Sequence, residues 1–378
     1  MTVQPTDAVK RSDLATMRVR ASMMEPKTLP GGVRVGEASR SIWQHLMEAD
    51  PEAIPYQSPE WADAACRSAG FMSITRHYRT ADGADFVLPL LRQARLPRRL
   101  SSAYSMPPAW GIGGLIGETE PTGDLVRAVF EDLKSLGLLS VRIRPNPRHD
   151  SIWAAAAPVE VTRIDRRAHI LDLTPGFETV RAEKFNSRCR RMAAKAERNG
   201  VSIEFDGTGA LLDTYYGLYE QSLVRWAAKQ NEPAWLARWR GRRRDPLHKM
   251  KAAASALGEG FQVGIARKDG QPMAGVILLL GRNANYSRGA MDVSLVGNSG
   301  ANELLQTHAI RCAAEAGCSH YHMGETGSSA TLARFKEKFG AVPVDYAEYQ
   351  FERLPISKID RAARETVKKL IGFKDTVQ

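Results

Sequence analysis

Three strand-length segments in succession, Phe261–Arg267, Pro272–Leu280 and Asn285–Met291, constrain this chain more than any other feature. Asp269-Gly270 between the first two signals a type I′ hairpin, a turn that needs positive φ at both central residues. Strands joined by short connections pair antiparallel, so a meander is expected here, and its apolar face must be covered. Helical patterns supply the cover. Two helices are expected over about 210–229 and 234–257, and another at Glu303–Ala316. The strand Ser319–Met323, the helix Thr331–Phe339 and the strand Val342–Phe351 follow. Upstream stand a strand at Ala168–Leu173, a helical stretch from Glu183 to Asn199 ended by Gly200, and a strand at Val201–Phe205.

At 378 residues the chain exceeds what one core normally holds, so two domains are expected. The first half opens with a helix carrying Ile42, Trp43, Leu46 and Met47, then a helix start with Ser58 as N-cap and Pro59 at its first position. Strands are expected at Met72–Tyr78, Asp85–Leu91, Gly111–Ile116 and Leu139–Ile143, with a helix Pro121–Leu136 apolar at Leu125, Val129, Leu133 and Leu136. The fold class is α/β (α+β): two domains, each a mixed, largely antiparallel twisted sheet flanked by helices, with a cleft between them. The expected division is a disordered leader 1–32, domains 33–165 and 166–355, and a basic helix and tail 356–378.

A formal charge of +11 points to a polyanionic partner: a phosphorylated small molecule, a nucleotide-linked substrate, tRNA or a membrane surface. The longest apolar run, Met273–Leu280, is far short of a membrane span, so no transmembrane segment is expected. No apolar stretch follows the N-terminal cations, and the four cysteines have no metal-binding spacing; both fit a cytoplasmic protein.

Lys184, Arg188, Arg191, Lys195 and Arg198 follow at steps of four, three, four and three, which puts them on one helical stripe. With no acids on that stripe, it reads as a phosphate-binding row, or else as a solvated face. Arg238, Arg240, Arg242, Arg243 and Arg244, with Trp235 and Trp239, read as an RNA- or lipid-binding run or as an exposed loop after a helix. His320 and His322 share one face of a strand, but with Glu325 they lack a further ligand at metal spacing, so no metal is expected. No P-loop, dinucleotide-binding glycine motif or nucleophile elbow is present.

Three segments together resemble a known family. Phe185 to Val201 is similar to the R-x-x-x-K-A-x-x-x-G-V helix of FemAB-like proteins. Gly297-Asn298-Ser299-Gly300-Ala301-Asn302-Glu303-Leu304-Leu305 leads into a helix and then Tyr321-His322-Met323-Gly324-Glu325. Leu332 to Ala341 contains Phe335-Lys336-Glu337-Lys338-Phe339-Gly340-Ala341, similar to the F-K-x-x-F-G-A signature of these proteins. With the Trp110–Gly114 segment, the likeness spans roughly 40–355 and extends to the BioF2-like (CelD-like) acetyltransferases of the GNAT superfamily. It implies paired GNAT-like domains and an acyltransferase that moves an acyl or aminoacyl group from aminoacyl-tRNA or acyl-CoA to an amine of a cell-envelope precursor or similar acceptor. The alternatives are an acetyl-CoA-dependent N-acetyltransferase of surface polysaccharide biosynthesis and a degenerate module that binds RNA or a membrane.

The same resemblance implies that Phe335 and Lys336 face the acceptor, with Lys336 contacting a carboxylate or stabilising developing negative charge. Substrate phosphates would be held by Lys184, Arg188, Arg191 and Lys195. The attacking amine must lose a proton, and Glu325 and Asp292 are the alternative bases, the latter at the end of a strand that carries Arg288. Gly300 and Asn302 lie where GNAT enzymes place a pyrophosphate loop, although Gly297 replaces its Arg or Gln; Asn302 equally reads as a helix cap. No tightly bound cofactor is expected, and oligomeric state is left open.

Overall fold

The structure, a computed structural model, describes residues 27–327, 329–355, 357, 360, 362, 365–368 and 373. The first part contains β1 (Lys27–Thr28), β2 (Arg34–Glu37), α1 (Arg40–Ala49), α2 (Pro59–Ala69), β3 (Phe71–Ser73), β4 (Arg76–Arg79), β5 (Asp85–Leu88) and β6 (Leu91–Gln93). Next come β7 (Ser102–Tyr104), β8 (Ile116–Gly117), α3 (Gly123–Ser135), β9 (Ser140–Ile143), α4 (Asp150–Ala156) and β10 (Thr162–Asp172). The second part continues with α5 (Phe177–Glu183), α6 (Ser187–Arg198), β11 (Ser202–Asp206), α7 (Leu212–Lys229), α8 (Ala234–Arg244) and α9 (Leu247–Leu257). It ends with β12 (Phe261–Lys268), β13 (Gln271–Leu279), β14 (Ala284–Met291), α10 (Val293–Val296), α11 (Ala301–Glu315), β15 (His320–Glu325), α12 (Ala330–Glu337) and β16 (Val342–Glu352).

Local chemistry explains most of these limits. Ser58 accepts from the Trp61 amide at the start of α2, with Pro59 at the first helical position. Thr122 caps α3 in the same way, and Leu125, Val129 and Leu133 of that helix are buried. The Asp269-Gly270 turn has φ of 49° and 77°, the type I′ signature. Helix 234–257, expected as one piece, is two, because Asp245 leaves helical geometry ahead of Pro246. The run Arg238–Arg244 therefore lies within α8 rather than in a loop. Residues expected as a strand over 111–115 are irregular, and Met72–Tyr78 and Asp85–Leu91 are each interrupted. Gly111 (φ 97°) explains the first case: its backbone packs so closely on the Tyr56 ring that no Cβ would fit.

The strands form two sheets, the smaller wholly antiparallel and the larger mixed but mostly antiparallel. One has the order β1-β2-β4-β5-β8, and the other β11-β12-β13-β14-β15-β10-β16-β9-β7-β6-β3. In the larger sheet β16 lies between β10 and β9, paired with β10 from Thr162↔Gln350 to Ile170↔Val342. The last strand thus stitches the early and late parts together. The junction expected at 165/166 falls inside β10, and the apolar clusters also cross it. Trp61 packs with Tyr215 and Phe261, and Phe130 and Trp153 pack with Tyr349. Of the leader expected over 1–32, Lys27 and Thr28 pair with Val35 and Arg34, and 1–26 lie outside the described residues. Most of the tail helix expected within 356–378 lies outside them too. Among the described residues, no helix is long and apolar enough to cross a membrane.

Candidate active site

A cleft opens where β14 and β15 part. These strands run parallel and pair only at Ala284↔Tyr321 and Asn285↔His322. Beyond that point β14 continues along β13, and β15 along β10. The gap floors a cavity of about 860 Å³, walled by the Ala109–Ile112 loop, by Arg225 and Trp226 of α7, and by Leu332, Phe335 and Lys336 of α12. That volume suits a small-molecule site.

On one wall, Ser329 caps α12 by accepting from the Leu332 amide. Phe339, fully buried just beyond the helix, packs edge-on against Phe335 and Phe185 at centroid distances of 5.4 and 5.2 Å, which anchors the helix end. Lys336 is thereby held with only 1% of its surface exposed. Its Nζ donates to the carbonyl oxygens of Gly324 (2.7 Å) and Glu325 (2.9 Å) and to Thr326 Oγ1 (3.1 Å). Burial pulls the Lys336 ammonium down to about 7, against the opposing pull of Glu325. Behind it, Thr326 Oγ1 lies 2.7 Å from Nδ1 of the buried His169.

Two acids brace this wall. Glu325 Oε1 accepts from the Tyr346 hydroxyl (2.6 Å) and pairs with Arg144 (3.3 Å), while Oε2 lies 3.8 Å from Arg166. Arg144 and Arg166 also reach the buried Glu348, at 2.7 and 3.0 Å. Burial alone would raise the Glu348 carboxyl, but these arginines bring it below its ordinary value.

The opposite wall centres on Asp245, 1% exposed. Its Oδ1 accepts from Arg288 (2.9 Å) and Lys249 (2.8 Å), and its Oδ2 from Arg244 (3.0 Å). Burial alone would raise this carboxyl, but Arg288 and Lys249 hold it far below the usual carboxylate range. Arg288 and Lys249 also both donate to the Ala109 carbonyl at 2.7 Å, fixing the loop at Ala109, a non-glycine residue with φ of 66°.

The sequence candidates fall into two groups. Lys336, Glu325, Phe335, Arg288 and Asn302 all line the cleft. Arg288, expected to bind substrate, is committed to Asp245 and Ala109, since a cation at that depth needs a buried counter-charge. The other candidates are absent from the lining. Asp292 caps α10, accepting from the Ser294 amide and hydroxyl, and so is not placed as a base for the cleft. Lys184, Arg188, Arg191 and Lys195 are exposed, and Lys184 precedes α6 because Asn186 caps that helix. Lys195 donates to the Asn298 carbonyl at 3.1 Å. Gly300 has φ of 82°, and a Cβ there would strike the Met192 carbonyl oxygen, so its glycine character serves the approach of α11 to α6. The Arg238–Arg244 run is largely paired internally, through Arg240–Glu232, Arg242–Glu220 and Arg244–Asp245.

Sequence reasoning missed Asp245, Lys249, Arg144, Tyr346, Glu348, Asn285 and Thr326. Two signals were there to be used. Asp245 precedes a helix-breaking proline with Lys249 four residues on, and Tyr346, Glu348 and Gln350 alternate along one face of β16. Among the described residues no group of three or more His, Cys, Asp or Glu is arranged to hold a metal ion.

Residues 183–337, which contain α6, the meander and α12, match the acetyltransferase (GNAT) domain family. The fold is similar to the crystal structure of FemX at TM-score 0.64 and 13% identity, over 86% of this chain and 99% of that one. It is also similar to a conserved protein of unknown function from Bacteroides thetaiotaomicron VPI-5482, at TM-score 0.50 and 10% identity, over 85% and 99% of the two chains. A tandem GNAT protein from the clavulanic acid biosynthesis pathway aligns at TM-score 0.47 and 11% identity, over 85% and 98%. No curated protein matches the chain by sequence. The class is therefore an acyltransferase with a GNAT catalytic domain. Residues 183–337 match a GNAT domain, and the fold of the chain as a whole is similar to that of FemX.

Proposed function

We propose that this cleft moves an acyl or aminoacyl group from an activated donor, acyl-CoA or aminoacyl-tRNA, to an amine of a cell-envelope precursor or similar small acceptor. One observation carries the reading: Lys336 is buried in the cleft wall with its proton affinity lowered to about 7, which makes it a proton carrier at neutral pH. In its neutral form Lys336 takes a proton from the incoming ammonium. The freed amine attacks the donor carbonyl carbon, the N–C bond forms, and the carbonyl oxygen takes the displaced electron pair. The Lys336 ammonium then stands beside that oxyanion and favours it electrostatically. As the carbonyl re-forms, the C–S or C–O bond breaks, and the leaving group keeps the pair and takes the proton from Lys336. The neutral lysine then takes the second proton from the new amide nitrogen and releases it to solvent. Glu325, braced by Tyr346 and Arg144, holds the strand whose carbonyls position Lys336.

The test is mass spectrometry of products from charged tRNA and acyl-CoA donors against muropeptide and amino-sugar acceptors. An N-acylated product is expected, lost in Lys336→Met. Absence of product with every donor and acceptor, or full activity in Lys336→Met, would overturn the proposal. Acetyl transfer alone would assign the protein to acetyl-CoA-dependent chemistry.

A further inference from the structure

At the point where β14 and β15 separate, two polar side chains lie side by side on the cleft floor. Asn285 and His322 are register partners, which puts their Cα atoms about 5 Å apart. Each is 2% exposed and each lines the cleft. Asn285 Oδ1 and His322 Nε2 have no hydrogen-bond partner among the described residues. The neighbouring buried groups are provided for: Gln306 donates to the Tyr321 hydroxyl, and Asn283 holds two backbone carbonyls. A buried polar atom without a partner costs about 1–3 kcal/mol, so two together on a cavity floor call for a ligand group.

We propose that Asn285 and His322 form a recognition subsite for a neutral hydrogen-bonding group of the substrate, a hydroxyl or an amide. The subsite rests on the reading that acyl transfer takes place in this cleft, and it narrows that reading to substrates with a polar group at this depth. Charge is excluded on both sides. Burial, with His320 and Arg148 facing it, pushes the His322 imidazole down to about 3, so the ring is neutral. A substrate ammonium would find no carboxylate acting at this buried pair, and the Asn285 oxygen would repel a carboxylate. A hydroxyl or amide N–H satisfies Asn285 Oδ1 and leaves His322 Nε2 to donate or accept according to its tautomer. Gly324, whose carbonyl holds Lys336, is two positions along the strand from His322, so the subsite lies about 7 Å along the strand from the residue that anchors the proton carrier. A group three or four bonds from the reacting carbonyl or amine spans that distance. A site built for such a group discriminates strongly against the hydrocarbon analogue, because desolvated polar atoms are then left unpaired.

The experiment uses the full chain and ligand pairs that differ by one hydroxyl: alanyl- and seryl-adenosine, propionyl- and 3-hydroxypropionyl-coenzyme A, and, for the acceptor side, propylamine and 3-aminopropanol. Calorimetric titration should find one pair in which the hydroxylated member binds about 10- to 100-fold more tightly. That gap should close in Asn285→Leu and in His322→Phe while the hydrocarbon member binds no worse. The pair showing the gap tells whether donor or acceptor carries the group. Nitrogen NMR of histidine-labelled wild type gives a second readout that needs no variant to fold: the His322 Nε2 resonance should move with the hydroxylated member and not with its partner. Equal binding within every pair, a gap surviving in both variants, or an Nε2 resonance unmoved by any probe (a bound water only) overturns the proposal. Neither readout needs turnover. Discrimination without any N-acylated product would sink the transfer reading alone, and product without discrimination would sink the subsite alone.

Discussion

Replacing Lys336 by methionine should abolish transfer, and the stability difference between the two proteins should depend on pH in a calculable way. Methionine matches the length of the lysine stem, so the substitution removes a buried charge together with the three hydrogen bonds of Nζ, and only the first of these varies with pH. The ammonium loses proton affinity on folding, from 10.5 to about 7. Between those values the unfolded chain binds more protons than the folded one, so wild-type stability rises with pH across that window. At about 1.4 kcal/mol per unit, the penalty for keeping the lysine is about 5 kcal/mol well below pH 7, about 4 near pH 7 and about 2 near pH 9. The stability of Lys336→Met relative to wild type should therefore fall by about 2 kcal/mol between about pH 7 and about pH 9. Urea denaturation of both proteins at the two pH values measures that difference. A difference that stays constant with pH, or shifts in the variant's favour, would show that folding leaves the lysine an ordinary base and would remove the basis of the proton-carrier role.

Other perturbations probe the rest of the cleft. The kcat of the wild type should rise as pH increases through about 7, because transfer needs neutral Lys336; a profile flat across that region contradicts the assignment. Asp245→Asn should cost about 3–5 kcal/mol in denaturant titrations, because Arg288 and Lys249 lose a buried counter-charge; a loss within about 0.5 kcal/mol would mean the cluster is not what holds the Ala109 loop. Gly300→Ala should cost at least about 2 kcal/mol, from the clash with the Met192 carbonyl and an unfavourable φ, as read by thermal unfolding. Neutralising Lys184, Arg188, Arg191 and Lys195 together should flatten the salt dependence of single-stranded RNA binding by about 3 log units per log unit of salt; an unchanged slope removes this row from the donor's path.

Much of the fold was legible because its determinants are local. The Asp269-Gly270 turn, the Ser58-Pro59 helix start and the helix Gly123–Ser135 depend on residues within one turn of the chain, and each formed where patterning put it. Errors came where a single residue overrides a pattern. Pro246 splits a helical run whose periodicity continues across it, and Asn186 starts a new helix inside one expected as continuous. The candidate site was legible in part. Phe335, Lys336 and Glu325 line the cleft, whereas the cationic row that looked most like a ligand site in one dimension faces solvent.

The linear order of residues specified, without reference to distant partners, an antiparallel meander, the helices that cover it and a lysine at the end of a short helix. These follow from turn chemistry and from the periodic placement of apolar side chains. Tertiary structure alone decided which charges line the cleft, which pair with one another inside the fold and which face solvent. Arg288 and Lys249 become scaffolding only because folding buries Asp245 between them, and Lys336 loses proton affinity only because it is buried where Gly324, Glu325 and Thr326 enclose it. Desolvation and through-space pairing set the chemistry of an ionisable group, and neither can be read from its neighbours in the chain.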